Sequence, residues 1–139
     1  MYDKILITLD TSGSDAAIIE HVRELAKITG SRIVLLHVAD GWAARTFGPD
    51  AVSPEVDEDQ KYLTAAEKSL RDAGLTVESH LAYGDPVTEI VSWVEKEGCD
   101  LIAMGTHGHR LVGDILRGTT ASRVQHRVAV PVLMLRAPA

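Results

Sequence analysis

The chain has 139 residues, 14 Lys+Arg against 20 Asp+Glu for a net charge of −6, and one cysteine. That length suits one domain spanning residues 1–139, and 45% hydrophobic with 24% charged residues is globular composition, which excludes a disordered chain. The acidic balance and the 4% aromatic content argue against nucleic-acid partners, which select clustered Lys/Arg and stacking rings.

Ile5-Leu6-Ile7-Thr8-Leu9, closed by Asp10, is the first short apolar run and reads as a strand buried on both faces. Ile18, Val22, Leu25, Ala26 and Thr29 follow at helical spacing, with Ser12 or Ser14 as the expected N-cap and Gly30 as the stop. Ile33 to Val38 is a second buried strand. Residues 39–55 form the one long irregular segment, and the acids Asp50, Glu55, Asp57, Glu58 and Asp59 continue from it into the second helix without a base among them. They are expected to lie outside the ligand pocket. Leu63, Ala66, Leu70 and Ala73 mark a second helix ended by Gly74, and the more polar Thr76–Tyr83 reads as a strand near a sheet edge. Asp85-Pro86 is a cap followed by a first helical residue, ahead of Val87, Ile90, Val91 and Val94, with Gly98 as the stop. Leu101–Met104, a last helical stripe at Ala121, Val124 and Val128, and Val132–Leu135 complete the order. Strands alternating with helices predict an α/β fold, a parallel sheet with helices on both faces. The opening MYDKILITLD is too short in apolar residues for a signal or a membrane span, and Cys99 has no partner for a disulfide. A cytoplasmic protein without a membrane partner is expected.

In such a sheet, ligands bind beyond the carboxyl ends of the strands where the strand order reverses. Three loops there are polar or glycine-rich: Asp10–Ser14, His37–Asp40 and Gly105–Thr120. The third holds Gly105-Thr106-His107-Gly108, nine further residues, then Gly118-Thr119-Thr120. Small residues admit a ligand close to the backbone, and amides opening a helix carry positive partial charge for phosphate. Neither a Walker A loop nor Gly-x-Gly-x-x-Gly is present.

Gly-x2-Gly-x9-Gly-Thr at the end of the fourth strand resembles the nucleotide signature of the ATP-binding branch of the universal stress protein family. The likeness extends to Lys4–Asp10 with Ser12, to Leu36-His37-Val38, Gly84-Asp85-Pro86, Asp100–Gly108 and Pro131–Arg136. It implies a Rossmann-like (adenine nucleotide alpha hydrolase-like) five-stranded parallel sheet of order 3-2-1-4-5. It also implies ATP or another adenine nucleotide as ligand, with Mg²⁺ or Mn²⁺ accompanying the triphosphate. Carried over by position, Thr8, Leu9 and Asp10 line the adenine and ribose side, and the Val38 backbone reads the adenine edge. Met104 and Gly105 flank the ribose, while Gly108, Gly118, Thr119 and Thr120 hold phosphates. Thr106, His107 and His109 complete the loop. A homodimer through Val132, Leu133, Met134 and Leu135 is implied as well, which agrees with an apolar final strand opened by Pro131.

Individual residues carry two readings each. Asp10 serves ribose hydroxyls or metal-bound water, or else caps the following helix. His107 and His109 are loop donors to phosphate rather than a metal pair, since no cysteine or carboxylate spacing supports zinc. His37 is expected to pack at its strand end, Cys99 to be an inert thiol, and Trp93 to be partly buried or a partner contact. Trp42 either covers a base or stays a loop hydrophobe. A regulatory ATP-binding module is the leading function, with no catalytic residues assigned. A slow ATPase or phosphotransferase and a dimeric scaffold or sensor of a non-nucleotide ligand are the alternatives.

Overall fold

A computed structural model describes residues 1–39, 54–105 and 120–136, with side chains of the second stretch from Val56. Its strands are β1 (Lys4–Leu9), β2 (Arg32–Ala39), β3 (Val77–Tyr83), β4 (Leu101–Gly105) and β5 (Val132–Leu135). They alternate with α1 (Ser14–Thr29), α2 (Pro54–Asp72) and α3 (Pro86–Glu97), and residues 120–127 belong to a further helix, α4. The strands form one sheet in the order β3-β2-β1-β4-β5, all pairs parallel, as the family likeness implied.

Alternate residues of each strand feed two cores. Ile5, Ile7, Ile33, Leu35, Leu101 and Ala103 pack with Ile18, Val22 and Ala26 of α1 and Leu63 and Leu70 of α2. Leu6, Val34, Leu36, Ile102 and Met104 pack with Val87, Ile90, Val91 and Val94 of α3 and Ala121 and Val124 of α4. Helices thus cover both faces. That is why the central strands are continuous apolar runs instead of alternating ones. The more polar third run is β3, an edge strand, as its composition suggests. Its Ser79 hydroxyl donates to Glu67 of α2 at 3.0 Å, and His80 stacks on Trp93 of α3 with centroids 4.3 Å apart. Trp93 is half-buried, and the Lys96 ammonium lies 4.5 Å above its ring. Cys99 is buried, which pushes its thiol up to about 11 and keeps it the inert protonated form expected.

The helix ends follow from the sequence at α3. The Asp85 carboxylate accepts the Thr88 amide at 3.0 Å and the Thr88 hydroxyl at 2.9 Å, and Gly98 closes the helix at φ 67°. At α1 they do not. Gly13 occupies the N-cap position with no side-chain cap, and Ser12 and Ser14 bond each other through their hydroxyls at 2.6 Å. The expected serine cap is therefore corrected, since this turn is held by a different residue. Of the segment expected to be irregular, residue 39 ends β2 and residues 54 and 55 open α2, while 40–53 lie outside the described residues. Among the described residues no helix is long and apolar enough to cross a membrane.

Candidate functional site

β1 is the reversal point of the sheet: β2 lies on one side of it and β4 on the other. Pairing between β1 and β4 ends at Ile7 opposite Ala103, although the strands continue to Leu9 and Gly105. The two strands therefore part at their carboxyl ends, where a crevice forms in open sheets of this kind. Thr8, Leu9 and Asp10 stand at the end of β1, Val38 at the end of β2, and Met104 and Gly105 at the end of β4. Six of the expected site residues are thus on three neighbouring strand ends, and Thr120 opens the described part of α4. Thr106, His107, Gly108, His109, Gly118 and Thr119 lie outside the described residues, as does Trp42.

Gly105 packs closely against α1. A Cβ there would stand 3.1 Å from the Ser14 hydroxyl oxygen and 3.5 Å from its Cβ, so the first turn of α1 abuts the end of β4. Ser14 is buried, and its hydroxyl is already bonded to that of Ser12.

The loop from β1 into α1 is built around a residue that the motif reading passed over. Asp15 is 2% exposed. Its Oδ1 accepts the Asp10 amide at 3.1 Å, and its Oδ2 accepts the Thr11 amide at 2.8 Å and the Tyr62 hydroxyl at 2.7 Å. Asp10 in turn accepts the Ser12 amide at 2.9 Å, so Asp10 does shape the helix entry. Thr11 has φ 63°, in the left-handed region that a β-branched residue rarely adopts. Such a conformation costs on the order of 1–3 kcal/mol and persists only where the surroundings impose it. The Asp15 carboxyl on the Thr11 amide is such a constraint. Burial, then the nearby Asp10 charge, push the Asp15 carboxyl up to about 7, and the donors from Tyr62 and the Asp10 amide only partly offset them. The Tyr62 hydroxyl is also raised, first by burial and then by Asp15.

A second polar link ends on the same helix. His37 is buried at the end of β2, as expected, with Nδ1 2.7 Å from the Leu9 carbonyl and Nε2 3.2 Å from Asp59 Oδ2. The carbonyl can only accept, so Nδ1 donates. Asp59 is 9% exposed and faces His37, whereas Asp57 and Glu58 of the same turn are exposed. Asp15, Asp59 and Tyr62 were missed, yet the sequence held a signal for both acids. Asp15 falls in register with Ile18, Val22 and Ala26, and Asp59 with Leu63, Ala66 and Leu70: each acid sits on the buried stripe of its helix.

The opposite end of the sheet holds a different cluster. Glu78, His80 and Glu97 bring ligating atoms within 4.8 Å of one another, beside Lys4, whose ammonium is 3.7 Å from Glu97. Lys4 opens β1, Glu78 and His80 lie in the first half of β3, and Glu97 is the last residue of α3, so the cluster is away from the strand ends that form the crevice.

The universal stress protein family profile matches residues 1–136. The solved structure of hypothetical protein MJ0577 superposes with a TM-score of 0.84 at 30% identity, covering 100% of this chain and 99% of that one. Universal stress protein MJ0577 of Methanocaldococcus jannaschii is 27% identical over 98% of this chain and 96% of its own length. Universal stress protein MJ0531 of the same organism is 30% identical over 99% of this chain and 84% of its own. The universal stress protein of Archaeoglobus fulgidus solved in complex with dAMP has the same fold, with a TM-score of 0.71 at 20% identity over 96% of this chain and 97% of that one. With the profile spanning nearly the whole chain, and the sheet order and reversal point in agreement, this protein belongs to the universal stress protein family.

Proposed function

We propose that the chain binds an adenine nucleotide, ATP above others, and acts as a regulatory module whose shape or partners change with occupancy. The observation that carries this reading is the placement of Gly105, first residue of Gly-x2-Gly-x9-Gly-Thr, at the strand end across the β1–β4 crevice from Asp10. Asp10 would meet ribose hydroxyls, Val38 the adenine edge, Met104 and Gly105 the ribose, and Gly108, Gly118, Thr119 and Thr120 the phosphates. The dAMP complex of the A. fulgidus protein supports the ligand class. A divalent ion suits a triphosphate here because Mg²⁺ keeps waters and phosphate oxygens as ligands and needs no protein cage. Arg110 and Arg117, with His107 and His109, put the donors for phosphate in the signature loop.

Binding is favoured over turnover. Hydrolysis needs a placed base and charge stabilisation at the γ-phosphate. Of the carboxyls at the described crevice, Asp15 is occupied by backbone and tyrosine donors, and Asp10 accepts the Ser12 amide. Calorimetry with ATP and Mg²⁺ tests the reading: one site per chain is expected, weakened at least about tenfold by Gly118→Val, whose side chain would occupy the phosphate approach. Absence of binding by folded protein overturns it. Mass spectrometry of ligand released from the purified protein distinguishes a nucleotide from another small molecule.

The working unit proposed is a homodimer joined along β5. Its Met134 is 37% exposed, and Val132, Leu133 and Leu135 are only half-buried on an edge strand. Apolar edges of this kind are normally covered. Light scattering at micromolar concentration is expected to give twice the 15.0 kDa chain mass, and Met134→Asp to give the monomer.

A further inference from the structure

Both polar links to the crevice converge on one face of α2. Asp59 and Tyr62 are three residues apart, hence neighbours on the helix surface. Asp59 reaches the Leu9 carbonyl through His37, whose ring contacts the two at 3.2 and 2.7 Å. Tyr62 reaches the Asp10 and Thr11 amides through Asp15, with contacts of 2.7, 3.1 and 2.8 Å. The two chains therefore fix consecutive backbone groups: the carbonyl of Leu9, the N–H of Asp10 and the N–H of Thr11. That peptide segment carries the carboxylate assigned to the ribose, and His37 directly precedes Val38, assigned to the adenine edge. The left-handed Thr11 lies where the Asp15 carboxyl holds it. All four side chains of the two links are more than half buried, so water does not readily replace these bonds.

We propose that Asp59 and Tyr62 are positioning residues of the nucleotide site, a two-point clamp by which α2, through His37 and Asp15, sets the Leu9–Thr11 backbone for the nucleoside half of the ligand. The clamp rests on the reading of the crevice as an adenine-nucleotide site. Neither residue touches the ligand. Each acts through an intermediary on β2 or α1, and a shift of α2 is passed to the turn that presents Asp10. Because the clamp holds the nucleoside end, its loss weakens AMP and ATP by the same factor. Loss of a phosphate contact would weaken ATP more than AMP.

The test uses Tyr62→Phe, which deletes only the hydroxyl, and Asp59→Leu, which keeps the side chain's size but offers His37 neither donor nor acceptor, with calorimetry of AMP and of ATP with Mg²⁺. Each variant is expected to lose about tenfold in affinity for both nucleotides, the size of one intramolecular hydrogen bond. Amide hydrogen exchange on the ligand-free protein gives a second readout: in Tyr62→Phe the Asp10 and Thr11 amides exchange about tenfold faster, while amides in the centre of β2 keep their protection. A merely structural tyrosine would loosen the fold as a whole and leave no preference for those two amides. Wild-type affinity in both variants, with unchanged exchange at Asp10 and Thr11, overturns the clamp while leaving the nucleotide reading intact. A wild-type protein that binds neither nucleotide overturns that reading and, with it, the clamp's role in binding.

Discussion

Leu35→Ala is expected to cost about 3 kcal/mol of folding stability, within the range of about 2–5 kcal/mol for emptying a fully buried leucine site. Leu35 is 0% exposed in β2, with Ile7 of β1 and Ser79 of β3 as its register partners. Its side chain lies in the core that α1 and α2 close, among Ile5, Ile7, Val22 and Leu63. Those neighbours come from one strand and two helices, so the void cannot be filled without moving an entire element. The cavity cost then adds to the lost transfer energy. Ile28→Ala is the control, since Ile28 is 83% exposed and its truncation is expected to stay within about 0.5 kcal/mol. Urea unfolding reads both: Leu35→Ala should lower the midpoint without altering the slope. A loss below about 1 kcal/mol would mean that the α1–α2 core is not packed as described.

The same two-sided burial explains why the architecture could be read from the chain. A run such as Ile5-Leu6-Ile7 has no polar residue to spare, because odd and even positions meet different helices. Asp85-Pro86 announced α3 because cap and helix-compatible proline act within one turn. The turn after β1 was not legible in that way. Ser12 and Ser14 have the chemistry of caps but spend it on each other, and the capping is inverted: Asp15, inside α1, accepts amides from the residues before it. An acid in the first turn of a helix ordinarily faces solvent and complements the helix dipole. Only its register with Ile18 marks Asp15 as buried, and its third donor, Tyr62, is 47 residues away, beyond any local pattern. The glycine motif pointed to the end of β4 as the candidate site. Asp59 and Tyr62 reach the neighbouring turn from α2, through His37 and Asp15, by tertiary contacts that spacing does not encode.

Stability is expected to depend on pH through Asp15, in the direction opposite to an ordinary salt-bridged carboxylate. Its pKa is raised from 3.8 to about 7, first by burial and next by the Asp10 charge, so the folded state holds a proton that the unfolded state releases. Below about pH 4 both states are protonated and Asp15 costs nothing. As the pH rises from about 4 to about 7 the unfolded state gains the advantage, and the cost levels off at about 4 kcal/mol once the folded carboxyl also ionises. About 2–3 kcal/mol of that falls between pH 5 and 8. Asp100 works the other way: the Asp3 and Lys4 amides, which donate to it at 2.9 and 3.1 Å, outweigh its burial and lower its pKa. Its contribution is present above about pH 4 and lost on acidification. Wild-type stability, followed by urea midpoint across this range, should therefore decline toward alkaline pH once Asp100 is fully ionised. Asp15→Asn should remove most of that decline, because an amide at this position has no proton to release, whatever it costs in lost acceptors at every pH. An Asp15→Asn protein with the wild-type slope between pH 5 and 8 would assign the dependence to another group. A wild-type protein of constant stability over that interval would mean that the three donors around Asp15 hold it ionised at neutrality. The turn that presents Asp10 would then be anchored by a full negative charge, and Tyr62→Phe would weaken that anchor more at high pH than at low.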